Sequence, residues 1–286
     1  MNRLNLLQAS LMTASILICL ASYPVDSSET ESQKSHSETS VHWGYSGSAG
    51  PSNWHSISDK FALCGSGKRQ SPVDIQFGIP ANLYPLVFRH QSVPLQVVNN
   101  GHTLQANYGT SVTNETVKIG GKTYPIKQEP IYNSQMMLGD IPYKLLQLHF
   151  HTPSEHAING QRAAMEVHLV HQSADGNLAV VGILLNAGAQ NPVLQKILDN
   201  TSDKINRVYS PQGININTSD LLPANRQFFH YSGSLTTPPC SENVNWFVMK
   251  SEMQVSEQQI KRFAQLIGDN ARPLQGMNWR SMLISE

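Results

Sequence analysis

Short apolar stretches separated by turn residues fill the chain from about residue 41 to its end. Stretches of this length, bounded by glycine, proline, asparagine or serine, are typical of β-strands. The clearest predicted strands are residues 95–98, 111–119, 145–151, 164–171, 178–185 and 244–250. Two predicted helices cover residues 192–200 and 256–267, and Ser256 with Gln259 forms a capping-box pattern in the second. Because no linker interrupts the series, we expect a single mainly β domain (α+β) with peripheral short helices over residues 41–286.

The amino terminus differs from the rest of the chain. Arg3 precedes an apolar run, and Cys19 with Ala21 forms a small-x-small cleavage pattern, so residues 1–21 are predicted to be a signal peptide. A lipid-modified Cys19 is the alternative, but Ile18 is bulky where that processing prefers a small residue. Residues 22–40 are polar without a hydrophobic period, which predicts a linker or disordered arm. We therefore expect a secreted protein of the periplasm or cell surface, with no stable membrane span in the mature chain.

The charge balance excludes one class of partner. Lys plus Arg and Asp plus Glu number 20 each, so no net field attracts nucleic acid or an anionic membrane. We expect neither a nucleic-acid partner nor a polyanionic substrate. The sequence does not distinguish a monomer from a homodimer.

Export to an oxidising compartment would determine the state of the cysteines. Once residues 1–21 are removed, the mature chain keeps Cys64 and Cys240. In an oxidising compartment a disulfide between them is the simple expectation, and two free thiols are the alternative.

Three histidines on two of the predicted strands carry the strongest chemical signal. Side chains alternate between the faces of a strand, so Gln147, His149 and His151 share one face, as do Glu166 and His168 on the second strand. The other face of the first strand holds Leu146, Leu148 and Phe150. If the two strands are neighbours, three imidazoles converge on one point. Three neutral imidazoles with a fourth position left for water are the ligands of a catalytic zinc site, since structural sites close with four ligands and favour thiolates.

Two polar neighbours strengthen this interpretation. Gln147 and Glu166 each lie two positions before a histidine on the same face, where an oxygen could accept the second N–H of a ligating ring. The alternative is a set of hydrogen-bonded core histidines, which is the expectation for any one of them alone.

Seven segments, in order along the chain, resemble the α-class carbonic anhydrases. They are residues 42–45 (HWGY), 69–75 (RQSPVDI), 99–102 (NNGH), 147–151 (QLHFH), 154–156 (SEH), 166–171 (EVHLVH) and 234–239 (SLTTPP). Thr152 with Pro153, and a cysteine just after Pro239, are more similar to bacterial and plant-like secreted members than to animal cytosolic ones. The resemblance spans nearly the whole mature chain. It implies a large, twisted, mostly antiparallel central sheet with a metal at the base of a conical cleft.

The resemblance also implies an activity, the reversible hydration of CO2 to bicarbonate and a proton by a zinc-dependent carbonate dehydratase. His149, His151 and His168 would hold Zn²⁺, with Gln147 and Glu166 behind them. Zinc lowers the pKa of a bound water to about 7, an effect for which carbonic anhydrase is the standard example.

Further residues acquire roles from the same resemblance. Thr236 would accept a hydrogen bond from the zinc-bound hydroxide and donate its own proton to Glu155, which a hydroxyl can do because it donates and accepts at once. Thr237 would contact bicarbonate. The apolar wall where CO2 waits would consist of Val170, Val180, Leu235 and Trp246. Taken alone, Thr236 is a turn residue before Pro238, and the four wall residues are ordinary core.

His102 matches the position of the family's proton shuttle. Each turnover leaves a proton that must reach the buffer, and histidine is the side chain whose unperturbed pKa suits that transfer. Tyr45, Asn100 and Gln105 are expected to order the intervening water, although the family often has asparagine where this chain has Gln105. The alternative for His102 is a solvated loop histidine.

Two other functions compete with this hypothesis. A catalytically inactive relative acting as a binding module would lose metal ligands, whereas this chain keeps all three histidines together with Glu155 and Thr236. A zinc esterase would use the same nucleophile on an activated ester. We expect it as a side activity, since no oxyanion hole or acyl pocket is evident.

Overall fold

The computed structural model describes residues 41–108, 116–119, 122–125, 133–202 and 204–286. The predicted signal peptide, the predicted arm and residues 111–115 of one predicted strand lie outside these ranges. Val41–Glu286 form one compact unit. Among the described residues, no helix combines the length and the hydropathy needed to cross a membrane.

Strands dominate the described part of the chain. They are β1 Asp74–Ile75, β2 Ile79–Ala81, β3 Leu86–Arg89, β4 Val93–Pro94, β5 Val97–Asn99, β6 Leu104–Asn107, β7 Thr116–Ile119, β8 Lys122–Pro125, β9 Gln135–Leu138, β10 Ile141–His151, β11 Ala157–Ile158, β12 Gln161–Arg162, β13 Met165–Ser173, β14 Leu178–Ala187, β15 Val208–Tyr209, β16 Asn215–Ile216, β17 Phe228–Ser234, β18 Glu242–Met249, β19 Met253–Val255 and β20 Leu283–Ser285.

Thirteen of these strands form one central sheet, in the order β15-β5-β6-β10-β13-β14-β18-β17-β20-β2, with β19 beside β14 and β9 joining β3 to β10. Most neighbouring pairs are antiparallel, and the parallel ones are β14 with β18, β14 with β19, and β20 with β2. The prediction of a mainly β fold on a large, mostly antiparallel sheet is confirmed. β10, β13 and β14 are its long central strands.

The helices are short and peripheral, as predicted. They are α1 Trp54–Ile57, α2 Leu63–Ser66, α3 Pro192–Asp199 and α4 Glu257–Ile267, with 3-10 turns at Gly47–Ala49, Asp59–Phe61 and Thr218–Leu221. Asn191 caps α3 by accepting from the next two backbone N–H groups, and Ser256 caps α4 in a complete capping box with Gln259. The two predicted helices, residues 192–200 and 256–267, match α3 and α4 to within one residue at each end.

The two faces of the sheet pack different side chains. Leu148, Phe150 and Leu169 point into the larger core, where Leu194 of α3 and Phe263 of α4 cover them. A smaller core lies on the opposite face, around Val180, Tyr231 and Trp246. Alternation along β10 and β13 therefore places the three histidines predicted as metal ligands on the face of the smaller core.

One prediction for β10 is wrong. Alternation predicts Leu146 on the buried face with Leu148, yet Leu146 is 38% exposed and Leu145 is buried instead. The pairing of β10 with β13 shifts register between Leu145 and Gln147. This bulge inserts one residue, so the alternation restarts at Gln147 and the histidines keep their predicted face.

Candidate metal centre and active site

The pairing of β10 with β13 brings the three predicted ligands together. His149 is directly opposite His168, and His151 lies two residues further along β10. One ring nitrogen from each histidine lies within 4.8 Å of the others. His151 and His168 are buried and His149 is half-buried, so the cluster is accessible from the side of His149.

The hydrogen bonds of the three rings decide which nitrogen of each is available. His149 Nδ1 donates to Gln147 Oε1 at 2.7 Å, and His168 Nε2 donates to Glu166 Oε1 at 2.9 Å. His151 Nδ1 donates to the backbone oxygen of Asn270 at 2.8 Å. The free nitrogens are therefore Nε2 of His149, Nε2 of His151 and Nδ1 of His168. Each ring is fixed by a partner behind it, as ligating histidines usually are.

Two buried atoms at the cluster lack hydrogen-bond partners. They are His151 Nε2 and Glu155 Oε2, which lie 3.5 Å apart. Leaving a buried polar atom unsatisfied costs about 1–3 kcal/mol, so a core histidine in a purely structural role would have this nitrogen paired. A cation held by the three free nitrogens would satisfy His151 Nε2 and lie beside the Glu155 carboxylate. The donor set therefore fits a zinc ion.

The protonation of these groups suits the same role. Burial first, and then the neighbouring histidines, lower the pKa of His149 well below its usual value, and burial lowers the pKa of His151 to about 4. The pKa of His168 is also lowered by burial. Neutral imidazole is the form that binds a metal, so these rings need not release protons at neutral pH to do so.

Glu166 holds His168 and a further buried histidine. Its Oε1 accepts from His168 and, at 2.8 Å, from His156 Nδ1, while Oε2 accepts from the backbone N–H groups of Glu155 and His156. Burial alone would raise the pKa of Glu166, but His156 and His168 hold it well below its usual value. His156, Glu166 and His168 are close enough to resemble a second metal group, but their facing atoms are bonded to one another.

A glycine makes room for this carboxylate. Gly182 on β14 lies opposite His168, and a Cβ at this position would lie 2.7 Å from Glu166 Oε1. Any larger residue would therefore push Glu166 away from His168.

Glu155 lies beside the cluster and is completely buried. Its Oε1 accepts from the backbone N–H of Arg272 at 2.9 Å, and the side chain of Thr236 lies close enough to lower the pKa of the carboxyl group. Burial is the largest influence on Glu155 and raises its pKa, against His168, Thr236 and Arg272, which lower it. The structure thus brings together Thr236 and Glu155, two residues 81 positions apart in the sequence numbering.

The four predicted wall residues lie on one side of the histidines. Val170, Val180 and Trp246 occupy consecutive strands in register, one row along the sheet from His168. Leu235 packs against the same small core. Thr237 is half-buried beside Thr236, and its backbone oxygen accepts from Cys240 N.

His102 lies on the turn between β5 and β6 and stacks on Trp43, with ring centroids 3.7 Å apart and planes 5° apart. Burial, and then His42, lower its pKa from the usual value. Asn100 Oδ1 accepts from the backbone N–H groups of His102 and Thr103, so this oxygen shapes the turn. Gln105 Nε2 donates to Asn107 at 2.6 Å. Tyr45 is partly buried, and burial followed by the charge of Glu155 raises its pKa well above the usual value.

The predicted disulfide joins Cys64 and Cys240. It ties α2 to the segment that follows Thr236 and Thr237. Gln70 Nε2 donates to the backbone oxygen of Cys240, and Arg272 donates to that of Cys64. A disulfide fits an oxidising compartment.

Sequence reasoning missed several residues that support the site. They are Asn270 and Arg272 behind His151 and Glu155, Gly182 beneath Glu166, and Tyr231, which hydrogen-bonds His156 Nε2 at 2.7 Å. His156 itself is a buried histidine whose two ring nitrogens are both hydrogen-bonded inside the core. Asn270 and Arg272 reach His151 and Glu155 through backbone atoms, from a loop more than 100 residues away, and side-chain patterns carry no signal for such contacts.

Comparisons with known proteins agree with this geometry. Residues 49–285 match the family model described as eukaryotic-type carbonic anhydrase. A carbonic anhydrase of Nostoc sp. is 42% identical over 248 residues, which cover 85% of this chain and 86% of that protein. A solved α-carbonic anhydrase of Thermovibrio ammonificans, in complex with the inhibitor sulfanilamide, has a TM-score of 0.74 at 35% identity and is covered over 99% of its chain and 86% of this one. The α-carbonic anhydrase of Photobacterium profundum has a TM-score of 0.71 at 34% identity. The chain therefore belongs to the eukaryotic-type, or α, carbonic anhydrase family.

Proposed function

We propose that this protein is a zinc-dependent carbonate dehydratase that interconverts CO2 with bicarbonate and a proton. The observation that carries the proposal is the convergence of three imidazole nitrogens beside a buried, unsatisfied Glu155 oxygen. Family membership supports the same activity.

His149, His151 and His168 would hold the zinc through the three free nitrogens. Bound zinc lowers the pKa of a coordinated water to about 7 and so supplies a nucleophile at neutral pH, carbonic anhydrase being the standard example. Gln147, Glu166 and the backbone of Asn270 fix the orientation of the rings.

Thr236 and Glu155 orient the attacking oxygen. The Thr236 hydroxyl is proposed to donate its proton to Glu155 Oε2, the carboxylate oxygen that otherwise has no partner. The Thr236 oxygen can then act only as an acceptor toward the nucleophile, which directs a lone pair of the attacking oxygen at the substrate. Arg272 N holds the other oxygen of Glu155 and keeps the carboxylate in this position.

The apolar wall suits the substrate. CO2 carries no charge and needs few hydrogen bonds. An apolar surface beside the nucleophile therefore suits it better than it suits water, and this surface would consist of Val170, Val180, Leu235 and Trp246. Thr237, next to Thr236, is the residue proposed to contact bicarbonate.

His102 would carry the proton from the cleft to the buffer. It is half-buried on a turn and stacks on Trp43, so one side of the ring faces the protein and the edge remains near solvent. Tyr45, Asn100 and Gln105 are proposed to order the water between His102 and the metal. The Nδ2 group of Asn100 is available for this, since its Oδ1 is committed to the turn.

The proposed location is the periplasm or the cell surface, after cleavage of residues 1–21. The Cys64–Cys240 disulfide supports an oxidising compartment.

Stopped-flow CO2 hydration on the zinc-loaded protein, before and after chelation, tests the proposal. We expect one zinc per chain, loss of hydration on chelation, and recovery when zinc is returned. His149→Ala should lose both metal and activity. The matched control is His230→Ala, a half-buried histidine on β17 that bonds only the backbone of Trp246. Failure to bind zinc stoichiometrically, or hydration no faster than in buffer, would refute the proposal. Ester hydrolysis on the same preparation measures the predicted side activity.

A further inference from the structure

The turn that carries His102 joins the metal-ligand strand where the ladder between β6 and β10 stops. Gln147, Leu148 and His149 pair with Asn107, Ala106 and Gln105, and the last pair is His149 with Gln105. Beyond it, side chains connect the turn to β10.

Thr103 makes the first of these connections. Its Oγ1 donates to the backbone oxygen of Phe150 at 2.6 Å and accepts from the Phe150 N–H at 3.3 Å. Phe150 lies between the ligands His149 and His151. Thr103 therefore ties the residue after His102 to the centre of the ligand pair.

Asn270 makes the second connection and contacts His102 itself. Its Nδ2 donates to the backbone oxygens of His102 and Phe150, each at 3.0 Å. The same residue accepts from His151 Nδ1 through its backbone oxygen and from Thr152 N, at 2.8 Å, through Oδ1. Asn270 is completely buried, so none of these bonds competes with solvent.

The chemistry requires a carboxamide at this position. One side chain must give two N–H donors to carbonyl oxygens and one acceptor to a backbone N–H, and asparagine supplies all three. Aspartate has the same shape and the acceptor but lacks both donors. An aliphatic residue would leave the Thr152 N–H and both carbonyl oxygens without this partner.

We propose that Asn270 is a positioning residue for proton transfer, whose side-chain amide fixes the His102 turn against the metal-ligand strand. The inference rests on the proposed shuttle role of His102. The backbone oxygen of Asn270 orients His151, and its side chain sets where His102 lies relative to that ligand. One residue thus holds both ends of the proton path.

Asn270→Asp in the zinc-loaded protein separates the two roles, because the backbone bond to His151 and the bond from Thr152 N remain. We expect kcat in weak buffer to fall by about tenfold, since a small misplacement of a transfer group is costly. Added imidazole should restore kcat, while kcat/KM for CO2 and the zinc content stay unchanged. Asn278→Asp is the matched control, since Asn278 is exposed and its Nδ2 also donates to a backbone oxygen, that of Lys68, at 3.0 Å.

Thr103→Val provides a second variant should Asn270→Asp fail to fold. It keeps the shape of Thr103 and removes the bonds to Phe150, so we expect the same imidazole-dependent loss with a smaller size. Unchanged kcat in weak buffer, or kcat and kcat/KM falling together without recovery, would overturn the inference.

The wild type and His102→Ala in the same assay distinguish the possible failures. A wild type without hydration above the buffer rate refutes the proposed function. If the wild type is active and His102→Ala is rescued by imidazole, but neither Asn270→Asp nor Thr103→Val is rescued, this inference alone is refuted. If His102→Ala has no effect, the shuttle role and the inference both fall.

Discussion

His171 is buried on the face of β13 opposite His168, and its protonation should set part of the acid stability of the fold. The side chain is completely buried, and Nδ1 donates to the backbone oxygen of Leu169 at 2.9 Å. Its Nε2 lies 3.4 Å from His90 Nε2. Burial, followed by the proximity of His90, lowers the pKa of His171 to about 3.

The size of the effect follows from linkage. In the unfolded chain His171 takes up a proton below about pH 6.5, whereas the folded chain resists protonation until about pH 3. The stabilisation is therefore complete above pH 6.5 and is lost as the pH falls toward 3. Each pH unit below about 6.5 lowers the free energy of unfolding by about 1.4 kcal/mol. At about pH 5, His171 alone should therefore lower it by about 2 kcal/mol relative to neutral pH.

His171→Asn tests this value. The asparagine amide can replace the Nδ1 donor to Leu169 but does not titrate in this range. Urea unfolding of metal-free wild type and variant should show the wild type more stable at about pH 8, with the difference shrinking by about 2 kcal/mol at about pH 5. Using metal-free protein removes zinc release from the comparison. A difference that stays constant between these pH values would show that His171 titrates normally, and the reasoning would be refuted.

Three further predictions concern the site and its support. Thr236→Val keeps the shape but loses the hydroxyl proposed to donate to Glu155, and stopped-flow assays should show kcat/KM about 100-fold lower with zinc retained, whereas Thr236→Ser should keep most activity. Gly182→Ala should displace Glu166 from His168 and weaken zinc binding by about tenfold in a chelator competition; unchanged affinity would mean that β14 moves to accommodate the methyl group. Replacing Cys64 and Cys240 by serine should cost up to about 5 kcal/mol in urea unfolding, given a sequence separation of 176, and equal stability with and without reductant would contradict this.

The strand period was sufficient to predict that the three histidines come together. His149 and His151 share a face because side chains alternate, and a single antiparallel pairing then places His168 opposite His149. The same rule failed at Leu146, because the alternation of side chains does not reveal where a β-bulge interrupts a strand. Strand β17, Phe228–Ser234, was not predicted, since its small and polar second half lacks an apolar pattern and depends on β18 and β20 for its conformation.

Contacts made by backbone atoms explain the rest of what the sequence could not provide. The sequence predicts that some oxygen must hold each ligating ring, and it identifies Gln147 and Glu166 because they lie on the same strands. It offers no pattern for Asn270, whose backbone oxygen reaches His151 from 119 positions away. Which nitrogen of His168 is free likewise depends on Glu166 approaching one side of the ring, a three-dimensional fact.

The position of β10 and β13 within the sheet also determines which parts of the site unfold locally most readily. Each of these strands is hydrogen-bonded on both edges, β10 to β6 and β13, and β13 to β10 and β14. Backbone amides in such strands exchange with solvent mainly through global unfolding, whereas turns exchange through local fluctuations. Strands β10 and β13 thus form the slow-exchanging part of the molecule, whereas the exposed Gly101 of the His102 turn should exchange faster. Mild denaturant should therefore raise exchange at Gly101 first, while the bonds of Thr103 and Asn270 to β10 hold and the three histidines remain in register.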